Sequence, residues 1–223
     1  MPGRILPLVT NEIYHIYNRG IDRRPTFTTI REYQRAIEAI KFYRFTRPPL
    51  RLSKFLRLEE EGKSEVLQLL QKKDKLIRIL CYCLMPNHFH LLLKQDRDKG
   101  IAKFLSNVQN SYTRYFNTRH DRDGSLFLNQ FKAVRIETDE QLLHVCRYIH
   151  LNPYTGFVVK SLAELEKYPW SSLPDYISRD ATTFVERDMI LGYFRNTDQY
   201  KRFVFDQADY QRRLREIKHL IFE

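Results

Sequence analysis

Two histidines, separated by a single residue, are the best candidates for a metal site in this chain. His88 and His90 lie in the run 81–94, CYCLMPNHFHLLLK, whose composition is typical of β-strands. Strand side chains alternate between the two faces, so both imidazoles point the same way, about 7 Å apart, and can bind one ion. The alternative is a pair of partly buried histidines that bind nothing.

A second candidate group lies on a helix predicted to begin after Thr138, which forms a capping box with Gln141. Tyr148 and Asn152 are four residues apart on this helix and therefore share a face. If that face points toward the histidines, the Asn152 amide oxygen can be a third metal ligand, and the Tyr148 hydroxyl can approach a bound phosphate. Two imidazoles and one amide oxygen suit Mg²⁺ or Mn²⁺ with open positions for substrate. A packed tyrosine and a helix-terminal asparagine are the structural alternatives.

The net charge of +11 predicts a polyanionic partner. Lysine and arginine neutralise phosphates and release counterions, so we expect salt-sensitive binding to nucleic acid. Aromatic residues stand among the cations in 112–116 and 200–203, and unstacked bases of single strands or hairpin loops stack on such rings. A solvated basic surface over a core rich in Tyr and Phe explains many of these residues individually.

Composition excludes several classes of protein. The 223 residues are 43% hydrophobic, which is enough for a real core. We find neither an apolar run of membrane-spanning length nor a signal-peptide core. Three cysteines, Cys81, Cys83 and Cys146, are too few and too clustered for a secreted disulfide framework. We therefore expect a cytoplasmic protein without membrane contact.

The pattern of elements predicts an α+β fold with a ferredoxin-like β-α-β-β-α-β core, followed by an added catalytic helix and a helical C-terminal extension. The four strands would form an antiparallel sheet with the first and third strands central, which places the histidine pair on a central strand. The predicted strands are 12–18, 76–84, 88–95 and about 131–136, and the predicted helices are 30–45, 101–118 and 139 to about 152, where Pro153 should end the helix.

Residues 1–156 are predicted to form this core, with an exposed helical insertion at about 50–74. Residues 157–223 are predicted to form a C-terminal wrap and helical extension, in which Trp170 packs back on the core. Two helices are expected in the extension, at about 186–195 and 198–222.

Several blocks together resemble a known family. The chain is similar to the REP-associated tyrosine transposases, which are single-tyrosine members of the HUH endonuclease superfamily with an IS200-like transposase domain. The similarity extends from residue 14 to residue 172 in the same order. Its main blocks are PNHFHLLL at 86–93, YTRYFN at 112–117, FKA at 131–133 and RYIHLNP at 147–153.

The resemblance implies a role for each candidate residue. His88 and His90 match the paired metal ligands, Asn152 the additional ligand, and Tyr148 the nucleophile. It implies a transposase-like endonuclease and strand transferase that uses Mg²⁺ or Mn²⁺ to form a 5′-phosphotyrosine intermediate on DNA. The expected substrate is single-stranded or hairpin DNA of palindromic repeats. Oligomeric state is not fixed by the sequence, although a monomer is slightly favoured.

One departure from the family pattern concerns substrate recognition. The family commonly has Gln-Gly-Arg before Phe-Lys-Ala, whereas this chain has Leu128-Asn129-Gln130 and so lacks a cation that could contact DNA. On the catalytic helix, His144 is a possible helper in proton transfer, with solvent exposure as its simpler explanation.

Two alternatives remain open. A structural zinc site could use Cys81, Cys83, His88 and His90. A three-residue loop at 85–87 would place the cysteines on the opposite face from the histidines, which disfavours it. The second alternative is a domesticated DNA-binding protein that keeps the fold but no longer cleaves.

Overall fold

The sheet consists of four strands in the order β2-β3-β1-β4, and each neighbouring pair is antiparallel. The computed structural model describes residues 7–178 and 183–213. The predicted antiparallel sheet with its first and third strands central is confirmed. The strands are β1 (Ile13–Arg19), β2 (Ile77–Met85), β3 (His88–Gln95) and β4 (Lys132–Ile136).

Helices cover both faces of this sheet. Helices α1 (Ile30–Tyr43) and α4 (Gly100–Arg119) lie on one face, where their apolar side chains meet Phe89 and Leu91 of β3. We call this the helix-pair face. Helix α5 (Asp139–Thr155) packs on the opposite face. Because both faces are covered, β2 and β3 are nearly continuous apolar runs rather than alternating strands.

Helix α5 begins where the sequence predicts and ends three residues later. The Thr138 hydroxyl accepts a hydrogen bond from the Gln141 amide at 3.2 Å. The helix passes through Pro153 and ends at Thr155, so the predicted end near Asn152 is wrong. Proline within a helix costs about 3 kcal/mol. Burial of the whole last turn and two amide hydrogen bonds to the Pro153 carbonyl offset that cost.

The segment between α1 and β2 forms helices α2 (Leu52–Phe55) and α3 (Glu60–Gln71). The sequence predicts exposed helical turns here, but both helices are anchored to the core. Leu52 and Leu70 are fully buried, and the Phe55 ring lies 5.2 Å from the Phe42 ring.

The chain after α5 returns to β2, which is the edge strand opposite β4. Trp170 stacks on the Tyr33 ring with 4.7 Å between centroids, which confirms that it packs back on the core. The helices of this part are α6 (Leu162–Glu166), α7 (Leu173–Ile177), α8 (Asp188–Leu191) and α9 (Thr197–Phe205).

The two helices predicted in this extension differ from those observed. The helix predicted at about 186–195 is shorter in the structure, where α8 has four residues. The predicted 198–222 helix is interrupted by a turn at 206–207 and resumes at 208–213, and its remainder lies outside the described residues. Within the described part of the chain, no helix has the length and apolarity needed to cross a bilayer.

A buried polar network joins α5 to the C-terminal wrap. The two ring nitrogens of His150 lie 2.6 Å from the Tyr200 hydroxyl and 2.8 Å from the Ser172 hydroxyl. The Ser172 amide in turn donates to the Tyr82 carbonyl of β2 at 3.0 Å. Buried polar groups are costly unless paired, so this network fixes α5, α9 and β2 relative to one another.

We expect Tyr200→Phe to lower the free energy of unfolding by about 1–3 kcal/mol. The substitution removes the hydroxyl that pairs with His150 and that lies 3.3 Å from the Cys146 thiol, so both groups lose a buried partner. Denaturant unfolding measures the change. Tyr210→Phe is the matched control, since Tyr210 is 62% exposed and should be neutral. Equal stability of the two variants would contradict the assigned role of the network.

Candidate active site

The turn before the histidine pair is one residue shorter than predicted. Met85 belongs to β2 and pairs with His88, which leaves Pro86 and Asn87 as a two-residue turn. The predicted three-residue loop is therefore wrong. Because paired residues of antiparallel strands share a face, Cys83, paired with His90, points to the same side as the histidines.

The two predicted histidines lie side by side on the face covered by α5. Their ring centroids are 5.1 Å apart and the rings are nearly perpendicular. The His88 Nδ1 atom lies 2.6 Å from the Asn87 side-chain oxygen. An oxygen can only accept, so Nδ1 of His88 carries the proton and Nε2 is the nitrogen with the lone pair. Metal-binding histidines are commonly oriented in this way.

A third histidine, which the sequence analysis missed, completes the cluster. His15 of β1 lies with its Nε2 atom 3.0 Å from Nδ1 of His90, and the two rings are stacked. Burial lowers the pKa of His15 to about 4, so it is neutral at pH 7 and its Nε2 can accept a hydrogen bond from Nδ1 of His90. His15 stands in the block 14–20 that carries the family resemblance, but its pairing register with β3 is not visible in the sequence.

Tyr148 meets this cluster from α5. Its ring lies edge-on to His90 at 5.5 Å and to His15 at 6.0 Å between centroids. The residue is 40% exposed although it touches buried groups. The structure thus brings the predicted tyrosine against the predicted histidines and keeps it accessible to a polymer.

Asn152 lies one helical turn after Tyr148 and is fully buried. Its amide nitrogen is 3.4 Å from the Tyr148 carbonyl oxygen, the contact expected for side chains of successive turns. Asn152 and Tyr148 thus do not form a uniformly exposed polar stripe. The predicted role of Asn152 as a metal ligand stays a prediction.

His144 is not oriented for proton transfer at this site. Its Nδ1 atom accepts a hydrogen bond from the Arg147 guanidinium at 2.5 Å, and the residue is exposed. The Arg147 guanidinium also lies over the Phe203 ring at 4.3 Å, toward the C-terminal wrap. Solvent exposure and this pairing explain His144.

The cysteines form a different group from the zinc site considered as an alternative. Among the described residues, one set of three or more His, Cys, Asp or Glu side chains brings its ligand atoms within 4.8 Å of one another: Cys81, Cys146 and His150, all buried. Cys83, His88 and His90 are not in it. The proposed combination of Cys81 and Cys83 with the histidine pair is therefore not assembled. Protein hydroxyls already occupy both nitrogens of His150.

We expect the three thiols to be unreactive toward a disulfide reagent in the folded protein and all three to react after unfolding in guanidinium. All are fully buried, so a reagent in solution cannot reach them in the folded protein. A colorimetric thiol assay with and without denaturant gives the counts. Rapid reaction of any thiol in the folded protein would contradict the packing of β2 against α5.

The structure brings a histidine pair of a central strand and a tyrosine of helix α5 together on one face of a four-stranded antiparallel sheet. Residues 54–152 match the family model described as "Transposase IS200 like". The match over this segment confirms the resemblance found in the sequence.

A solved structure supports the same fold. The chain is similar to a protein described as "Structure of the REP associates tyrosine transposase bound to a REP hairpin", with a TM-score of 0.54 and 15% sequence identity. The similarity covers 82% of this chain and 90% of that one. No curated protein matches the sequence significantly.

Proposed function

We propose that this chain is a transposase-like endonuclease and strand transferase for single-stranded DNA, with Tyr148 as nucleophile and His88, His90 and Asn152 as ligands of Mg²⁺ or Mn²⁺. The observation that carries the proposal is the contact of the Tyr148 ring with the His90 ring on one face of the sheet. The IS200-like family match over 54–152 supports it.

In the proposed reaction the Tyr148 phenol oxygen attacks the phosphorus of a scissile phosphodiester. A bond forms between that oxygen and phosphorus, the bond from phosphorus to the 3′ oxygen breaks, and the released 3′ oxygen takes up a proton. The products are a 5′-phosphotyrosine and a free 3′-hydroxyl, which can later attack the intermediate to rejoin strands. The phosphodiester energy is retained, so no ATP is needed.

The histidines fit a divalent ion because Asn87 and His15 engage their Nδ1 atoms, an arrangement that directs Nε2 toward a ligand. When bound, such an ion stabilises negative charge on the phosphate oxygens and favours ionisation of a phenol whose free pKa is about 10. The chain itself positions the tyrosine, since α5 is fixed by the buried network around His150.

The proposed substrate is hairpin or single-stranded DNA of palindromic repeats. The net charge of +11 supports a phosphate-rich partner, and the similar solved transposase is bound to a REP hairpin. All four proposed active-site residues belong to one chain, so the proposal needs no second subunit. We propose that the protein acts as a monomer. Three free cysteines favour action in the reducing cytoplasm.

The alternative is a DNA-binding protein of the same fold without catalysis. Binding alone requires neither an accessible tyrosine against a histidine cluster nor the histidine orientation seen here. The presence of all four residues therefore favours the nuclease.

We expect a covalent protein–DNA adduct when the protein is incubated with a single-stranded hairpin oligonucleotide and Mg²⁺ or Mn²⁺. Tyr148→Phe should lose it completely, because the nucleophilic oxygen is absent. Tyr193→Phe is a control of similar exposure, 47%, and should keep it. Denaturing gels and mass spectrometry of the modified peptide identify the attached residue. Salt-sensitive binding without any adduct would favour the binding protein instead.

We expect His88→Ala or His90→Ala to abolish Mn²⁺ binding measured by calorimetry. His15→Ala should weaken it by about 10- to 100-fold through loss of the bond that orients His90. His15→Gln, whose amide oxygen can accept the same proton, should restore part of the affinity, which a purely structural role would not require. An unchanged Mn²⁺ dissociation constant in His15→Ala would refute the orienting role.

A further inference from the structure

We propose that a second nucleic-acid site exists on the other side of the molecule, where a groove rich in arginine holds the phosphate backbone of a double-helical DNA stem. The groove has a volume of about 710 Å³ and runs between α4 and the α1–α2 segment. It lies on the outer surface of the helix-pair face, with the sheet between it and the histidine cluster. This inference rests on the proposed function only in taking DNA as the partner.

The charge of the groove is uniformly positive. No acidic residue lines it, and four of its five arginines form no ion pair with a carboxylate among the described residues, while Arg119 lies 3.6 Å from the buried Glu32. Such a concentration of unpaired cations repels itself unless an anion neutralises it. The five arginines are Arg35, Arg51, Arg57, Arg114 and Arg119.

The backbone on both walls of the groove belongs to helices that are anchored in the core. Arg51 flanks and Arg57 follows α2, which is anchored through the buried Leu52 and Phe55. On the other wall, Arg114 is carried by the 20-residue helix α4. Arginines carried on two anchored walls can meet a polyanion without a rearrangement of the backbone, which lowers the entropic cost of binding.

Arg35 is an unusual member of the set. Its guanidinium lies over the Tyr115 ring at 5.4 Å, and its Nε atom is buried without a hydrogen-bond partner. Burial lowers the pKa of this arginine. A buried donor without a partner is costly, and a phosphate oxygen at the groove floor would supply a nearby charge.

The lining favours a duplex over a single strand. Single-strand sites present exposed aromatic rings for base stacking. Here Tyr115 lies under Arg35 and is half-buried, and the Tyr43 hydroxyl accepts a hydrogen bond from the Leu52 amide. The arginines are therefore the side chains available to bind a ligand. Guanidinium contacts to phosphates position a duplex without reading its sequence.

The test compares two double variants with equal loss of charge. Arg51→Ala/Arg114→Ala removes one cation from each wall of the groove, and Lys72→Ala/Lys73→Ala removes two exposed cations after α3. Binding of a fluorescent hairpin with a stem of about 12 base pairs is followed by anisotropy between 50 and 200 mM salt. Both variants are made in a Tyr148→Phe background and measured in EDTA, so cleavage plays no part.

We expect the arginine variant to bind the hairpin at least tenfold more weakly than its Tyr148→Phe parent near 150 mM salt, with a salt slope smaller by about 2. The lysine variant should lose much less affinity for the hairpin. Equal losses in the two variants, or an equally large loss for an unstructured oligo-dT strand, would overturn the proposal. If the arginine variant is unfolded by circular dichroism, Arg57→Glu replaces it with the same expected direction.

The two proposals can fail separately. A protein that forms no tyrosine adduct but binds stems through the groove would refute the nuclease and keep the second site. A protein that forms the adduct but binds hairpins independently of the groove arginines would do the reverse.

Discussion

The two-residue turn at Pro86 and Asn87 sets which way the side chains of β3 and of the adjoining part of β2 face, and the candidate site depends on it. With Met85 paired to His88, both histidines and Cys83 face α5, while Phe89 and Leu91 face the helix pair. A register shift of one residue would exchange these sets, burying imidazoles in the apolar core. The turn is held from outside as well, because the Pro86 carbonyl accepts from the Thr26 and Phe27 amides. Asn87 adds a chemical role by orienting the His88 ring.

The sheet also separates the proposed site of DNA cleavage from the proposed site that binds a DNA stem. One face carries the histidine cluster and the tyrosine, and it is partly closed by α5. The other carries the helix pair, whose outer surface presents the arginines. Concentrated positive charge close to the histidines would oppose the binding of a divalent cation, since like charges repel strongly where water is excluded. The groove arginines lie beyond the sheet from the histidines, whereas Arg19, paired with His88, and Lys132, paired with Tyr17, are cations on the histidine face.

Much of the fold could be predicted from the sequence because its signals are local. Hydrophobic periodicity gave the strands and the long helices, and Thr138 marked the start of α5. The errors share one cause, which is that burial outweighs local preference. Pro153 did not end α5, because the last turn is buried, and Leu52 and Phe55 anchor an insertion whose composition is typical of exposed helices. The histidine pair and its meeting with Tyr148 were predictable from spacing and resemblance. His15 was not, because the register between two strands far apart in sequence is set by the finished sheet.

The link from His150 to Ser172 and Tyr200 has a consequence for anyone who wishes to dissect the protein. Although the strands and α5 are complete by Gly156, the groups that hold α5 in place come from later in the chain. A fragment that ends after α5 would keep every proposed reactive residue. It would nevertheless expose apolar side chains of the helix that carries Tyr148 and leave polar atoms of that helix without hydrogen-bond partners. The described part of the C-terminal wrap, through Ser172 and Tyr200, thus holds the helix that carries the proposed nucleophile, and fusions or grafts of this scaffold should include it.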